Sequence, residues 1–283
     1  MRKVSLIVAV LLLPLAGYTQ NLAVHDHSDH VNSFAVEQDW AKAKADKSPR
    51  HQEWVLVKNG ERKVNCFLVY PEVKNKAMAV VVIHEIFGMS DWVRSLTDQL
   101  AEAGYIAVAP DLLSGMGPKG GGTGEFDRSG VGQAIRDLPP DQITGDLNAV
   151  ADYVSKLPSC NGKVAVTGYC WGGGQSFRFA TNRPSLAAAF VFYGSGPESA
   201  DAIAKIKCPV YGFYAGNDNR INATIPKTEE LMKSAHKTFE PVIYEGAGHG
   251  FMRAGEDPQN QVEANKKARA EAWVRWKGLL KKL

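Results

Sequence analysis

Residues 163–174 read KVAVTGYCWGGG. An apolar, β-branched run ends at Gly168, Cys170 follows between Tyr169 and Trp171, and three glycines come next. The run is strand-like, and the continuation WGGGQSFRFATN (171–182) is helix-like, so the thiol falls on the turn between them. A side chain on so sharp a turn crowds its neighbours, and glycines two before and two after relieve the crowding. A helix that starts at the sulfur also directs its free N–H groups and positive dipole end at it, which favours negative charge there. A buried structural cysteine beside a glycine-rich packing contact accounts for the pentapeptide equally well, taken alone.

The pattern on either side extends the alternation. WVLV (54–57) and VNCFLVY (64–70) read as strands about the turn NGER (59–62). AMAVVVIH (77–84) is continuously apolar, as in a strand buried on both faces. A helix over 91–104 ends at Gly104, and YIAVAP (105–110) is the next strand. Residues 141–158 read as a helix closed by Pro158. AAAFVFYG (187–194), PVYGFYAG (209–216) and EPVIYEG (240–246) read as strands, with a helix over 225–237. The last helix spans 261–283, with Trp273, Trp276 and Leu280 at i, i+3, i+7. This predicts an α/β domain over 52–283, with a mostly parallel sheet of about eight strands flanked by helices. Ligands of such sheets bind beyond the carboxyl ends of the strands.

Two residues there tip the balance on Cys170. Asp218 follows the strand at 209–216 and His249 follows that at 240–246. The order nucleophile, acid, histidine is that of α/β-hydrolases, with G-x-C-x-G in place of G-x-S-x-G. In such a triad His249 takes the thiol proton and Asp218 holds the imidazole in the right tautomer. Asp111, after the strand at 105–110, is the next candidate for the acid.

GYCWGGG (168–174), HEIFG (84–88), AGNDNRI (215–221) and GAGHGFMR (246–253) together resemble the dienelactone hydrolase family. The resemblance runs from about residue 52 to 280. It implies the α/β-hydrolase fold and a Cys170–Asp218–His249 triad. It also implies Glu85 as a carboxylate beside the resting thiol, and the backbone amides of Ile86 and Trp171 as the oxyanion hole. The implied substrate is a small ester or lactone bearing a carboxylate. Arg253, four residues after His249, is the implied grip on that carboxylate, with a second arginine in the region of Arg128 and Arg136. The implied reaction is attack by the thiol to give a thioester that water then hydrolyses. A non-catalytic small-molecule-binding protein on the same fold is the competing expectation, since fold alone fixes no function.

The remainder narrows the setting. A formal net charge of +3 over 283 residues does not argue for nucleic acid. The four cysteines form no CxxC, so a zinc ribbon or thioredoxin-like site is not expected. The glycine-rich segment 114–126 lacks phosphate-loop spacing and reads as a mobile rim loop. Gly88 stands where a metalloprotease HExxH would need a histidine. No cofactor or metal is therefore expected. Arg2 and Lys3 precede the apolar run VSLIVAVLLLPLAG, which reads as a signal peptide over 1–20 cleaved between Ala16 and Gln20. The expected location is periplasmic or secreted, with no stable membrane insertion after cleavage. Residues 21–51 read as a polar leader, solvated in spite of its His25, His27 and His30.

Overall fold

A computed structural model describes residues 38–283. The expected signal peptide, its cleavage site and His25, His27 and His30 lie outside the described residues. Helix α1 (Asp39–Asp46) precedes strands β1 (Gln52–Asn59), β2 (Arg62–Val69) and β3 (Ala77–Ile83). Then come α2 (Asp91–Glu102), β4 (Ile106–Pro110), α3 (Arg128–Arg136), α4 (Pro140–Ser155), β5 (Cys160–Tyr169) and α5 (Trp171–Asn182). The chain continues through β6 (Ala189–Phe192), α6 (Ala200–Ala204), β7 (Val210–Ala215), α7 (Asn219–Asn222), α8 (Ile225–Ser234), β8 (Phe239–Tyr244), α9 (Phe251–Ala254) and α10 (Glu263–Leu280).

The eight strands form one sheet in the order β1-β2-β4-β3-β5-β6-β7-β8. β1 and β2 are an antiparallel hairpin, and β2 runs antiparallel to β4; every pairing from β4 to β8 is parallel. The fold expected from the sequence is the one observed. β3 shows why its sequence is apolar throughout. Ala79, Val81 and Ile83 point into one core, with Leu147 and Val150 of α4 and Phe177 of α5. Met78, Val80 and Val82 point into the other, with Trp92 and Leu96 of α2 and Trp276 of α10. Side chains alternate across a strand, so burial on both faces leaves no place for a polar residue.

Chain connections leave β3 in both directions: α2 carries the chain to β4 on one side, and β5 lies on the other. A crevice at the carboxyl ends follows from that reversal. α2 is capped by Ser90, whose hydroxyl accepts from the Val93 amide at 3.4 Å, and ends before Gly104 at φ +101°.

Two departures from the sequence expectations stand out. The domain begins before residue 52: α1 buries Ala41 and Ala45, and the Arg50 guanidinium grips buried Asp98 at 2.5 and 3.0 Å. A helix held by two alanines and ion pairs leaves little apolar periodicity to detect. The glycine-rich segment is folded around carboxylates. Glu125 accepts from the amides of Lys119 and Gly121 (2.8 and 3.0 Å), and Asp111 accepts from the Thr123 amide and hydroxyl (2.8 and 2.7 Å).

Candidate active site

Cys170 has φ +54° and ψ −119°, a conformation strained for any residue with a Cβ. The turn is held by its N–H, which donates to the Phe192 carbonyl at 3.1 Å. The flanking glycines are there for space. A Cβ on Gly168 would lie 1.9 Å from the Gly172 carbonyl oxygen, and one on Gly172 would lie 2.3 Å from that of His84. The first turn of α5 thus presses directly on the ends of β5 and β3. Trp171 opens the helix, so its N–H has no partner within it. Its half-buried ring stacks on that of His84, with centroids 5.6 Å apart. His84 itself is fully buried, donates Nδ1–H to the Glu85 carbonyl at 2.8 Å, and is kept neutral by burial.

Asp218 and His249 meet at the ends of β7 and β8. Asp218 is buried; its Oδ2 hydrogen-bonds His249 Nδ1, and its Oδ1 accepts from the Ile221 amide at 3.4 Å, capping α7. His249 also hydrogen-bonds Cys170. Burial alone would lower the imidazole pKa, but the bonds to Cys170 and Asp218 outweigh it and push it up to about 9. The two loops are sewn together. Asn217 N–H donates to Ala247 O at 2.9 Å, Asn217 Nδ2 donates to Gly246 O at 3.0 Å, and the Gly248 amide donates to Asn265 Oδ1 at 2.8 Å. Asn265, in the first turn of α10, carried no signal in the sequence. Asp111, the alternative acid, has its carboxylate committed to Thr123 and to the Leu113 amide at 3.1 Å.

Glu85 and Arg253 are placed together. Arg253 Nε donates to Glu85 Oε2 at 2.8 Å; the carboxylate side chain is 2% exposed and the guanidinium 28%. The Glu85 charge is the main reason that Arg253 holds its proton more tightly than usual, and Cys170 adds to the effect. The guanidinium also lies over the Phe87 ring, 5.3 Å from its centroid. Tyr193 was not singled out from the sequence. It follows β6 with φ +41°, is fully buried, and sets its ring 5.0 Å from that of His249. Its hydroxyl has no hydrogen-bond partner among the described residues, and burial raises its pKa well above the usual value.

A cavity of about 440 Å³ opens on Cys170, and Ile86, Trp171, Tyr193, Arg136, Gln175, Ser195 and Arg220 also line it. Of the two candidates for the second arginine, Arg136 lines this cavity and Arg128 stands at the opposite end of α3. A larger cavity, about 1060 Å³, lies between the β1–β2 hairpin and the glycine-rich segment. Neither Cys170 nor His249 lines it, so volume does not mark the chemistry here. The four cysteines are all free, and burial raises the thiol pKa of Cys208 to about 11 and that of Cys66 further still.

Comparison with known proteins identifies the family. Residues 64–283 match the model of the dienelactone hydrolase family. A Saccharolobus solfataricus protein assigned by name as a carboxymethylenebutenolidase is 31% identical over 254 residues, covering 78% of this chain and 95% of its own. A Methylorubrum extorquens protein of the same assigned name is 32% identical over 183 residues, covering 61% of this chain and 62% of that one. Among solved structures, one assigned as a dienelactone hydrolase from Klebsiella pneumoniae superposes with a TM-score of 0.70 at 25% identity, covering 83% of this chain and 99% of that one. The chain belongs to the dienelactone hydrolase family of α/β-hydrolases, which places it among the carboxylic ester hydrolases.

Proposed function

We propose that this protein is an exported cysteine hydrolase that opens activated esters or lactones through a thioester on Cys170. The observation that carries the proposal is the continuous relay from Cys170 through His249 to Asp218, at the mouth of a cavity between the carboxyl ends of the strands.

The chemistry follows from the positions. His249 takes the thiol proton, and Sγ forms a bond to the carbonyl carbon. The carbonyl oxygen becomes an oxyanion facing the amides of Ile86 and Trp171, which line the same cavity. Loss of one such donor typically lowers turnover about 10²–10³-fold. Collapse breaks the carbon–oxygen bond, and the imidazolium of His249 gives its proton to the departing oxygen. Water, relieved of a proton by His249, attacks the thioester; the carbon–sulfur bond breaks and the Cys170–His249 pair keeps that proton for the next cycle. One water is consumed and one acid released. Asp218, bonded to Nδ1, supports the imidazolium at each stage.

Thiolate is a better leaving group than an ordinary alkoxide. Enol esters and lactones, whose oxygen departs readily, are therefore better substrates than amides. Arg253 contributes to a preference for acidic substrates through the guanidinium N–H groups that Glu85 does not occupy. Export rests on the basic start and apolar run of residues 1–20; no helix among the described residues is long and apolar enough to cross a membrane. A screen of small lactones and aryl esters, with and without a terminal carboxylate, tests the activity against Cys170→Ala. Hydrolysis of none of them, or equal hydrolysis by the alanine variant, removes the proposal. N-terminal sequencing of the mature protein from fractionated cells tests export, which fails if residues 1–20 are retained in the cytoplasmic fraction.

A further inference from the structure

His84 follows β3 directly, is fully buried, and has no part in the Cys170–His249–Asp218 relay. Its Nδ1 lies 2.8 Å from the Glu85 carbonyl oxygen. A carbonyl only accepts, so the ring hydrogen is on Nδ1 and Nε2 is bare. Nε2 is buried with no partner among the described residues, so the ring has no second group with which to exchange a proton. Its contacts are better suited to holding than to acid–base work. The Glu85 carbonyl and the Ile86 N–H belong to one peptide unit, which is trans and planar, so they point in opposite directions. The Gly88 amide donates to the same carbonyl at 3.1 Å, closing a turn over residues 85–88. With the oxygen pinned by two donors, the direction of the Ile86 N–H is pinned as well. The flat of the His84 ring stacks on Trp171, with centroids 5.6 Å apart and planes at 13°. One buried imidazole thus touches the peptide that carries the Ile86 amide and the residue that carries the Trp171 amide.

Neither of these amides has an acceptor among the described residues, although both residues line the cavity at Cys170. That is ordinary for Trp171, the first residue of a helix. Ile86 stands in a turn, where a free N–H rotates toward a nearby acceptor unless its peptide is held. We infer that His84 is a positioning residue for the oxyanion hole: its Nδ1–H fixes the Glu85–Ile86 peptide so that the Ile86 N–H stays free for the acyl oxygen. Its ring steadies the Trp171 side of the same hole. This rests on the proposed hydrolase chemistry, in which that oxygen becomes negative.

The test separates the hole from the thiol. Phenethyl trifluoromethyl ketone adds reversibly to a catalytic thiol. Sγ bonds to the carbonyl carbon, the carbonyl oxygen becomes an oxyanion, and the thiol proton rests on His249. Alkylation by iodoacetamide uses the same sulfur but forms no oxyanion. His84→Phe keeps a ring against Trp171 and removes the donor. Its inhibition constant for the ketone should rise about 10- to 100-fold, short of the roughly 10²–10³ that follows outright loss of a donor. The alkylation rate of Cys170 and the urea midpoint should be unchanged. For an activated aryl ester, kcat should fall by a similar factor with KM little altered, because the negative oxygen exists only beyond the ground state. His84→Asn and His84→Leu are alike in shape, and only asparagine donates, so the asparagine variant should bind the ketone more tightly. Unaltered ketone affinity in His84→Phe, equal affinity in His84→Asn and His84→Leu, or alkylation that falls in step with ketone affinity overturns the inference. If the wild-type protein binds the ketone in this His84-dependent way yet hydrolyses no ester, the hydrolase proposal fails while the positioning role stands.

Discussion

Replacing Arg253 with alanine removes the partner of a carboxylate that is 2% exposed. Breaking a buried ion pair from one side typically costs about 3–5 kcal/mol, because the remaining charge keeps its desolvation penalty and loses its compensation. Here the guanidinium is 28% exposed, so water can enter part of the space it leaves, which points to the lower end of that range. Loss of the contact over Phe87 adds about 0.5–1 kcal/mol. The expected destabilisation is therefore about 3–4 kcal/mol, read as a lower urea midpoint at unchanged slope. Glu85→Gln/Arg253→Met, which removes both charges at similar volume, should recover most of it. If Glu85 acts beside Cys170, as the family resemblance implies, Arg253→Ala should also depress turnover of neutral esters, so Arg253→Lys is the cleaner probe of substrate recognition. A loss below about 1 kcal/mol in Arg253→Ala, with no recovery in the double variant, would show that Glu85 and Arg253 are not coupled as the structure places them.

Gly168→Ala should abolish turnover and slow iodoacetamide modification of Cys170, since the new Cβ meets the Gly172 carbonyl at 1.9 Å and must displace the start of α5; normal kinetics in the variant would contradict this geometry. The kcat/KM profile should fall on the alkaline side near pH 9, where the Cys170–His249 pair loses the proton it needs for the departing oxygen, and Asp218→Asn should move that limb to lower pH because Asp218 helps to raise the histidine; an unmoved limb would detach Asp218 from His249. His249 binds its proton more tightly when folded, so its stabilising contribution is complete below its ordinary value of 6.5 and is lost as pH rises toward about 9. Thermal melts of wild type and His249→Ala across pH 6–10 should therefore converge on the alkaline side, and parallel curves would refute the linkage.

Strands buried on both faces, such as β3, and long helices such as α5 were legible because their apolar patterns are continuous. The turn at Cys170 was legible because only glycine fits at 168 and 172. The short helices α7 and α9 were not, since four residues cannot show a period of 3.6. α3 escaped because its apolar side amounts to Val131 and Ile135 within a glycine-containing, polar stretch. Asp218 and His249 were found from their places after strands, whereas the ties from Asn217 and Asn265 that position them join loops and helices distant in sequence. The pairing of Glu85 with Arg253 spans 168 residues and is set by topology alone. The sequence could mark each residue but not their engagement with one another. Tyr193 went unseen because nothing local distinguishes a tyrosine at a strand end from a core residue; its positive φ and unpartnered hydroxyl appear only in three dimensions.

The central claim is that Cys170 carries the acyl group during turnover. Acid quenching of the wild-type enzyme during steady-state hydrolysis of an activated aryl ester, followed by peptide mapping with mass spectrometry, tests it directly. The account predicts one acyl group on the peptide containing Cys170, labile to hydroxylamine as a thioester is, and absent from Cys170→Ala along with turnover. Acylation of a different residue, or sustained hydrolysis by Cys170→Ala, would contradict it.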